Sequence, residues 1–183
     1  KQKLVPFGEY VPFTIFDSCF SFFNFNRPNV VSSDNNVLIK SKDLNISSAI
    51  CYEIAYQDIF LKHGKQSNLL FNASNDNWFG DTIGPYQHLQ IARYRAAENR
   101  KPLIRSTSTG VSALINKFGS VVKSIDIDHL EQKVSNSQQI ESIIFTRSGH
   151  TPFITFGKWP SIFFILILIS GSFFNKILRN EKD

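Results

Sequence analysis

Cys51 is the residue around which chemistry can be built. It closes a run of apolar and small residues, Asn45-Ile-Ser-Ser-Ala-Ile50, that reads as a short strand, and Tyr52 and Glu53 carry the chain on into helical spacing. A strand that ends in cysteine and turns at once into a helix exposes the sulfur at the end of a sheet. The start of that helix would set positive partial charge beside the sulfur and favour thiolate, the nucleophilic form. The backbone N–H of Tyr52 would face an oxyanion developing on an attacked carbonyl. The chemistry implied is acyl transfer through a thioester. On this pattern alone a structural cysteine is the better account, because free cysteine is also a common small apolar filler. Cys19, the second of two cysteines, reads as such a filler. Two cysteines are too few for a disulfide framework, and no CxxC pair suggests zinc or redox chemistry. His63, His88, His129 and His150 show no metal spacing and receive no role.

The elements that would position Cys51 follow from periodicity. A helix is predicted from about Tyr52 to His63, with Ala55 and Ile59 on one face and Gly64 as its stop. Ser67–Ala73 is a second strand, followed by a polar loop, Ser74–Gly84. Pro85 suits a first helical position, so Pro85–Arg100 is a helix. Leu103–Thr107 is a third strand, and Val111–Ile115 with Ser120–Ile125 form a hairpin around Asn116–Gly119. Asp126–Ser142 reads as a long loop. Alternating strands and helices give an α/β class. Pro12–Phe25 is dominated by Phe13, Phe16, Phe20, Phe22, Phe23 and Phe25, and suits either a core segment or a lid that touches lipid.

Hydrophobic residues are 42% and charged residues 19%, which favours a packed core over disorder. The net charge of +5 comes with no basic–aromatic pattern, so nucleic acid is excluded as a partner. Part of the charge flanks the last element. Trp159–Phe174 carries no charge and Ile162–Ile169 is unbroken apolar. The uncharged window is about the ~17-residue lower limit of a bilayer-spanning helix. A transmembrane helix is therefore predicted over 159–175, with a buried core helix as the alternative. Lys176, Arg179 and Lys182 place the tail, 176–183, in the cytoplasm and the rest of the chain on the opposite side. Residues 1–150 form the catalytic part, and 151–158 link it to the membrane. The chain has no methionine, so Lys1 is expected to be a cut within a longer protein.

Cys51-Tyr52-Glu53 does not stand alone. It follows Leu4-Val-Pro-Phe-Gly-Glu9-Tyr-Val-Pro12 and precedes Asn72-Ala-Ser-Asn-Asp-Asn-Trp78-Phe79-Gly80. Gln87-His88, Arg93-Tyr-Arg95-Ala-Ala-Glu98-Asn-Arg and Arg105-Ser-Thr-Ser-Thr-Gly110-Val-Ser112 come after. With these strings the chain resembles the apolipoprotein N-acyltransferase family, a membrane-embedded branch of the nitrilase superfamily. The resemblance runs from Lys1 to the terminal apolar element. It departs at Ser142–His150, where Phe145 and His150 replace the family's Tyr and Asp.

The resemblance implies a nitrilase-like αββα sandwich, incomplete here, and a Glu-Lys-Cys triad. It matches Cys51 to the nucleophile, Lys1 to the triad lysine, Glu9 to a further essential glutamate, and Tyr52 and Glu53 to the residues after the nucleophile. The triad glutamate lies upstream of the lysine and has no counterpart here, so the chain by itself is expected to be inactive. Trp78, Phe79 and Phe7 are candidates to touch substrate. Arg95, Glu98 and Arg105 are expected to form an ion-pair network beside the site. The implied reaction needs no cofactor and no metal. The implied partners are a phospholipid acyl donor, an apolipoprotein acceptor and membrane lipid, at the bacterial inner membrane with the catalytic part on the periplasmic side. A soluble nitrilase-type amidohydrolase and a membrane-anchored scaffold without activity are the competing readings.

Overall fold

The computed structural model describes residues 1–6, 8–10, 30–33, 38–126 and 139–180, with side chains in the last helix described to Ser172. The Phe-rich segment, Phe7, Cys19 and most of the 126–142 loop lie outside the described residues.

Six strands form one mixed sheet whose spatial order is the chain order: β1 (Ile39–Ser41), β2 (Leu44–Ile50), β3 (Leu69–Ser74), β4 (Leu103–Thr107), β5 (Val111–Ile115) and β6 (Val121–Asp126). β2, β3 and β4 run parallel, and the remaining pairs are antiparallel. Two crossovers join the parallel strands, one through α1 (Gln57–Gly64) and one through α2 (Gly84–Asn99). Right-handed crossovers that advance in the same direction put both helices on one face. One sheet and one helix layer are thus seen, half of the expected four-layer sandwich.

The register explains what this face buries. Ser47, Leu70, Leu103 and Ile115 lie side by side in one row, and Ala49, Asn72, Arg105 and Ala113 in the next. All eight are buried. The helix side is equally periodic: Pro85, His88, Leu89, Ala92, Arg95, Ala96 and Asn99 are the buried residues of α2, a stripe at three- and four-residue spacing. Ile54, Ile59 and Phe60 complete the core from the β2–β3 crossover. Each fully buried large apolar side chain contributes about 1.5–3 kcal/mol. α2 starts with Pro85 in its first turn and stops at Arg100, a left-handed residue whose N–H reaches the carbonyls of Ala96 and Ala97.

Three expectations need correction. The helix predicted over 52–63 is two elements. Cys51–Ala55 is a 3₁₀ turn, Tyr56 is extended, and α1 begins only at Gln57. The linker predicted over 151–158 contains a short helix, α3 (Pro152–Phe156), started by Thr151, whose side chain accepts from the Ile154 N–H. The transmembrane helix predicted over 159–175 is not supported, although helix α4 (Trp159–Asn180) is present. Among the described residues no helix is long and apolar enough to cross a membrane.

Lys101 ties down the sheet end opposite Cys51. It is 1% exposed, and its Nζ donates to the Gly64 carbonyl and lies 3.4 Å from Ser67 Oγ. Burial pushes its ammonium down to about 8. The unfolded chain then holds more protons than the folded one between that value and the ordinary 10.5, so stability rises with pH across this window. Urea unfolding at pH 7.5 and 10 should show this rise in wild type and not in Lys101→Met. Parallel pH dependences for the two proteins would mean that Lys101 is not a buried cation.

Candidate active site around Cys51

Strand β2 delivers Cys51 to the carboxyl end of the parallel strands, the end where α/β sheets place their ligands. Its backbone has φ +55, a left-handed conformation that a side chain other than glycine's adopts at a cost of about 1–3 kcal/mol. The thiol is half-buried, and Sγ lies 3.9 Å from the Asn75 carbonyl across the gap to the loop after β3. The strand–turn part of the expected arrangement is therefore present. The helix terminus beneath the sulfur is not, because only a five-residue 3₁₀ turn follows.

What holds this backbone is mainly Glu53, which is 3% exposed. Its Oε2 accepts the Ile50 N–H at 2.7 Å. Its Oε1 accepts the Lys3 N–H at 2.9 Å and also the Gln2 N–H. One carboxylate thus joins the residue before the nucleophile to the segment that carries Lys1. The Glu53 carbonyl closes the turn by accepting the Tyr56 N–H. Tyr52 is half-exposed beside Cys51 and meets Tyr56 edge-on at 6.1 Å.

Lys1 forms an ion pair with Glu9, both side chains largely shielded from solvent. The other Glu9 oxygen accepts the Val5 N–H at 2.8 Å. Burial raises the Glu9 carboxyl, but the bonds from Lys1 and Val5 and the Lys1 charge outweigh it and hold the group below the ordinary 4.5. Glu9 is therefore charged at neutral pH.

Beneath Cys51 lies a second buried layer. Asn72 Nδ2 donates to the carbonyls of Ala49, at 3.0 Å, and Cys51, at 3.3 Å. Arg105, the cross-strand partner of Asn72, donates from Nη1 to Asn72 Oδ1, from Nη2 to Asp76 Oδ2 at 2.6 Å and from Nε to the Val111 carbonyl at 3.3 Å. Asp76 Oδ1 accepts from Ser74 Oγ at 2.7 Å and from His88 Nδ1 at 2.9 Å. Burial pushes the Asp76 carboxyl up, yet the His88 bond, the Arg105 charge and the Ser74 bond together hold it below its ordinary 3.8. An ionised Asp76 only accepts, so its bond to His88 needs the tautomer with the hydrogen on Nδ1, and Arg105 Nη2 lies 3.1 Å from the same atom. His88 Nε2 is buried with no hydrogen-bond partner among the described residues, and its ring packs against Tyr52 and Phe79.

The expected network of Arg95, Glu98 and Arg105 is in fact two separate units. Arg95 pairs with Glu98 along α2, and Glu98 also takes Gln57. Arg105 pairs with Asp76 instead. Trp78 is 80% exposed, while Phe79 packs over Gly84 and His88. Phe7 lies outside the described residues. Asn72, Asp76 and His88 stand in the quoted strings, but the sequence gives them no role. Asn72 bonds the Cys51 carbonyl directly, and Arg105 joins Asp76 to Asn72.

Glu53→Gln tests the clasp. A glutamine keeps the shape but offers one acceptor oxygen, so either the elbow amide or the Gln2 and Lys3 amides lose their partner. With a bond to a charged acceptor contributing about 1.5–3 kcal/mol, hydrogen exchange at Gln2 and Lys3 should speed up roughly 10- to 100-fold. Unchanged exchange at Gln2, Lys3 and Ile50 alike would show that another contact holds the segment.

Residues 1–140 match the carbon-nitrogen hydrolase family model. The chain is 34% identical, over its full length, to the apolipoprotein N-acyltransferase of Pseudomonas paraeruginosa, and 38% identical over 92% of its length to that of Pseudomonas syringae pv. tomato. It spans about a third of these curated relatives, 35% and 32% of their lengths. Among solved structures, Saccharomyces cerevisiae Nit3 of the nitrilase superfamily is similar at TM-score 0.46 and 16% identity, over 53% of this chain and 39% of that one. A carbon-nitrogen hydrolase from Helicobacter pylori G27 is similar at TM-score 0.46 and 15% identity, over 54% and 42%. With the family model covering the whole sheet, the Cys51 elbow and the Glu53 clasp, the chain belongs to the carbon-nitrogen hydrolase family.

Proposed function

We propose that this chain is the nucleophile-bearing part of an apolipoprotein N-acyltransferase. The observation that carries the reading is the clasp: one buried carboxylate, Glu53, ties a cysteine at a strand end to the segment that holds an ion-paired lysine. The names of the relatives matched along the whole chain supply the reaction class.

In the first half-reaction the Cys51 thiolate attacks the carbonyl carbon of a phospholipid acyl ester. The C–S bond forms, the ester C–O bond breaks, and the lysophospholipid alcohol leaves with a proton. Lys1, held in place by Glu9, stabilises the tetrahedral oxyanion together with the Tyr52 N–H. In the second half-reaction the α-amino group of a diacylglyceryl-cysteine attacks the thioester. The amide forms, the C–S bond breaks, and the proton lost by the amine restores the thiol. The base in this scheme is a carboxylate upstream of the lysine, as the resemblance implies. Tyr52, Trp78 and Phe79 border the site and would meet the acyl chain or the acceptor.

Helix α4 suits a lipid substrate. Phe163 to Ile169 are seven consecutive apolar residues, and all are exposed around the full turn of the helix. A helix that is apolar all round needs an apolar surrounding. We read it as seated in lipid at the inner membrane, with the catalytic part on the periplasmic side. Hydrolysis of a small C–N bond, which the family's name suggests, offers no use for such a helix.

The test uses protein expressed from the complete reading frame in native membranes. Incubation with phospholipid should leave a hydroxylamine-sensitive acyl adduct on wild type and none on Cys51→Ala, read by intact mass spectrometry. Glu9→Gln should slow adduct formation by about 10- to 100-fold. A folded wild type that never carries the adduct would remove the reading.

A further inference from the structure

The thioester reading assigns work to the residues that face the substrate and leaves the charged layer beneath them unexplained. That layer is unusual. Arg105 and Asp76 have fully buried side chains, and His88 is buried beside them. Stability alone is a poor reason for such a pair, since desolvation of two charges often cancels their attraction. The geometry supplies another reason. Arg105 directs its guanidinium to four partners on four segments: Asn72 on β3, Asp76 in the loop after β3, Val111 on β5 and His88 on α2. Two of these lead to the nucleophile. The bond to Asn72 Oδ1 fixes which end of that amide is which, so that Nδ2 points at the carbonyls of Ala49 and Cys51. The bond to Asp76 anchors the loop whose Asn75 carbonyl lies opposite Sγ. Gly110 permits the close approach on the far side, because a Cβ there would sit 2.7 Å from Asp76 Oδ2.

We propose that Arg105 is a positioning residue for Cys51. Through Asn72 it holds the nucleophile's left-handed backbone, and through Asp76 it sets the facing loop at the matching distance. The proposal rests on Cys51 being the nucleophile, and does not depend on which acyl donor is used. A guanidinium is required because its planar fork reaches Asn72, Asp76 and Val111 at once, which a lysine ammonium on a flexible stem does not reproduce. A residue that acts through placement lowers the rate of bond formation without weakening substrate binding, since misplacement by about 1 Å costs up to ~100-fold in rate.

The experiment uses p-nitrophenyl butyrate as acyl donor and protein from the complete reading frame in detergent. Cys51 attacks the ester, the C–S bond forms, and p-nitrophenolate leaves and is read as a burst. Cys51→Ala supplies the blank. In Arg105→Lys the acylation rate constant should fall at least about tenfold, with the half-saturating ester concentration within about twofold and Cys51 still labelled by iodoacetamide. Asn72→Asp keeps the size and the pairing with Arg105 but loses the donor to the elbow. It should show the same fall, and raising the pH from 6 to 10 should not restore it. Circular dichroism melting checks the fold, and if Arg105→Lys does not fold, Asn72→Asp decides alone. Wild-type rates in the folded variants would overturn the proposal, as would a fall in Asn72→Asp that high pH abolishes, which would make the effect one of charge. A wild type that takes acyl from the nitrophenyl ester but never from phospholipid would sink the lipid reading and leave the Arg105 comparison intact.

Discussion

The left-handed backbone of Cys51 is the constraint on which the rest of the site depends. It aims the sulfur out of the sheet's end, and it is uphill for any residue with a Cβ. Two buried side chains keep it there from opposite sides. Glu53 holds the N–H just before the cysteine, and Asn72 holds the carbonyl just after it. Each of the two is itself fixed by a longer chain of bonds: Glu53 by the amides of Gln2 and Lys3, Asn72 by Arg105. Local strain at one residue is thus balanced by contacts collected from the Gln2–Lys3 segment, from β3 and from β4.

This arrangement puts charge where an α/β core is ordinarily apolar. The row Ala49–Asn72–Arg105–Ala113 runs across four strands at the level of the elbow, and the next row down, Ser47–Leu70–Leu103–Ile115, is almost wholly apolar. Small residues at the ends of the polar row leave room for the long arginine in the middle. Asp76, Ser74 and His88 then close over it, so that every charge in the layer has an opposite or a donor within reach. A buried polar group costs free energy unless it is bonded, so such a layer tolerates few alternative arrangements.

Much of this was legible in advance, and the misses have physical causes. Strands β2 to β6 and helix α2 follow directly from apolar periodicity, from Pro85 and from the turn at Gly119. The segment after Cys51 carries helical spacing, but Glu53 turns its carboxylate back to three amides and tightens the chain into a 3₁₀ turn, which no period reveals. Strand β1 was missed because it is three exposed residues joined to β2 by a two-residue turn in which Lys42, not glycine or asparagine, takes the positive φ. α3 carries a readable signal, Thr151 before Pro152, inside the segment expected to act as a linker. Cys51, Lys1, Glu9 and Glu53 were found by their motifs. Asn72, Asp76 and His88 stand in the same strings without a role, because they come from a strand, a turn and a helix, and only sheet register brings them together.

The strand order carries a consequence of its own. Because β1 to β6 lie side by side in the order in which they occur in the chain, every pairing closes a short loop or a single crossover. Short closures cost little entropy and form quickly. A ribosome releasing this chain from its amino end would therefore add each strand to an edge that already exists, with no strand left waiting for a distant partner. The exception is Glu53, whose carboxylate must recapture residues made some fifty positions earlier. The scaffold grows outward in the direction of synthesis, and the reactive centre is completed by a backward reach.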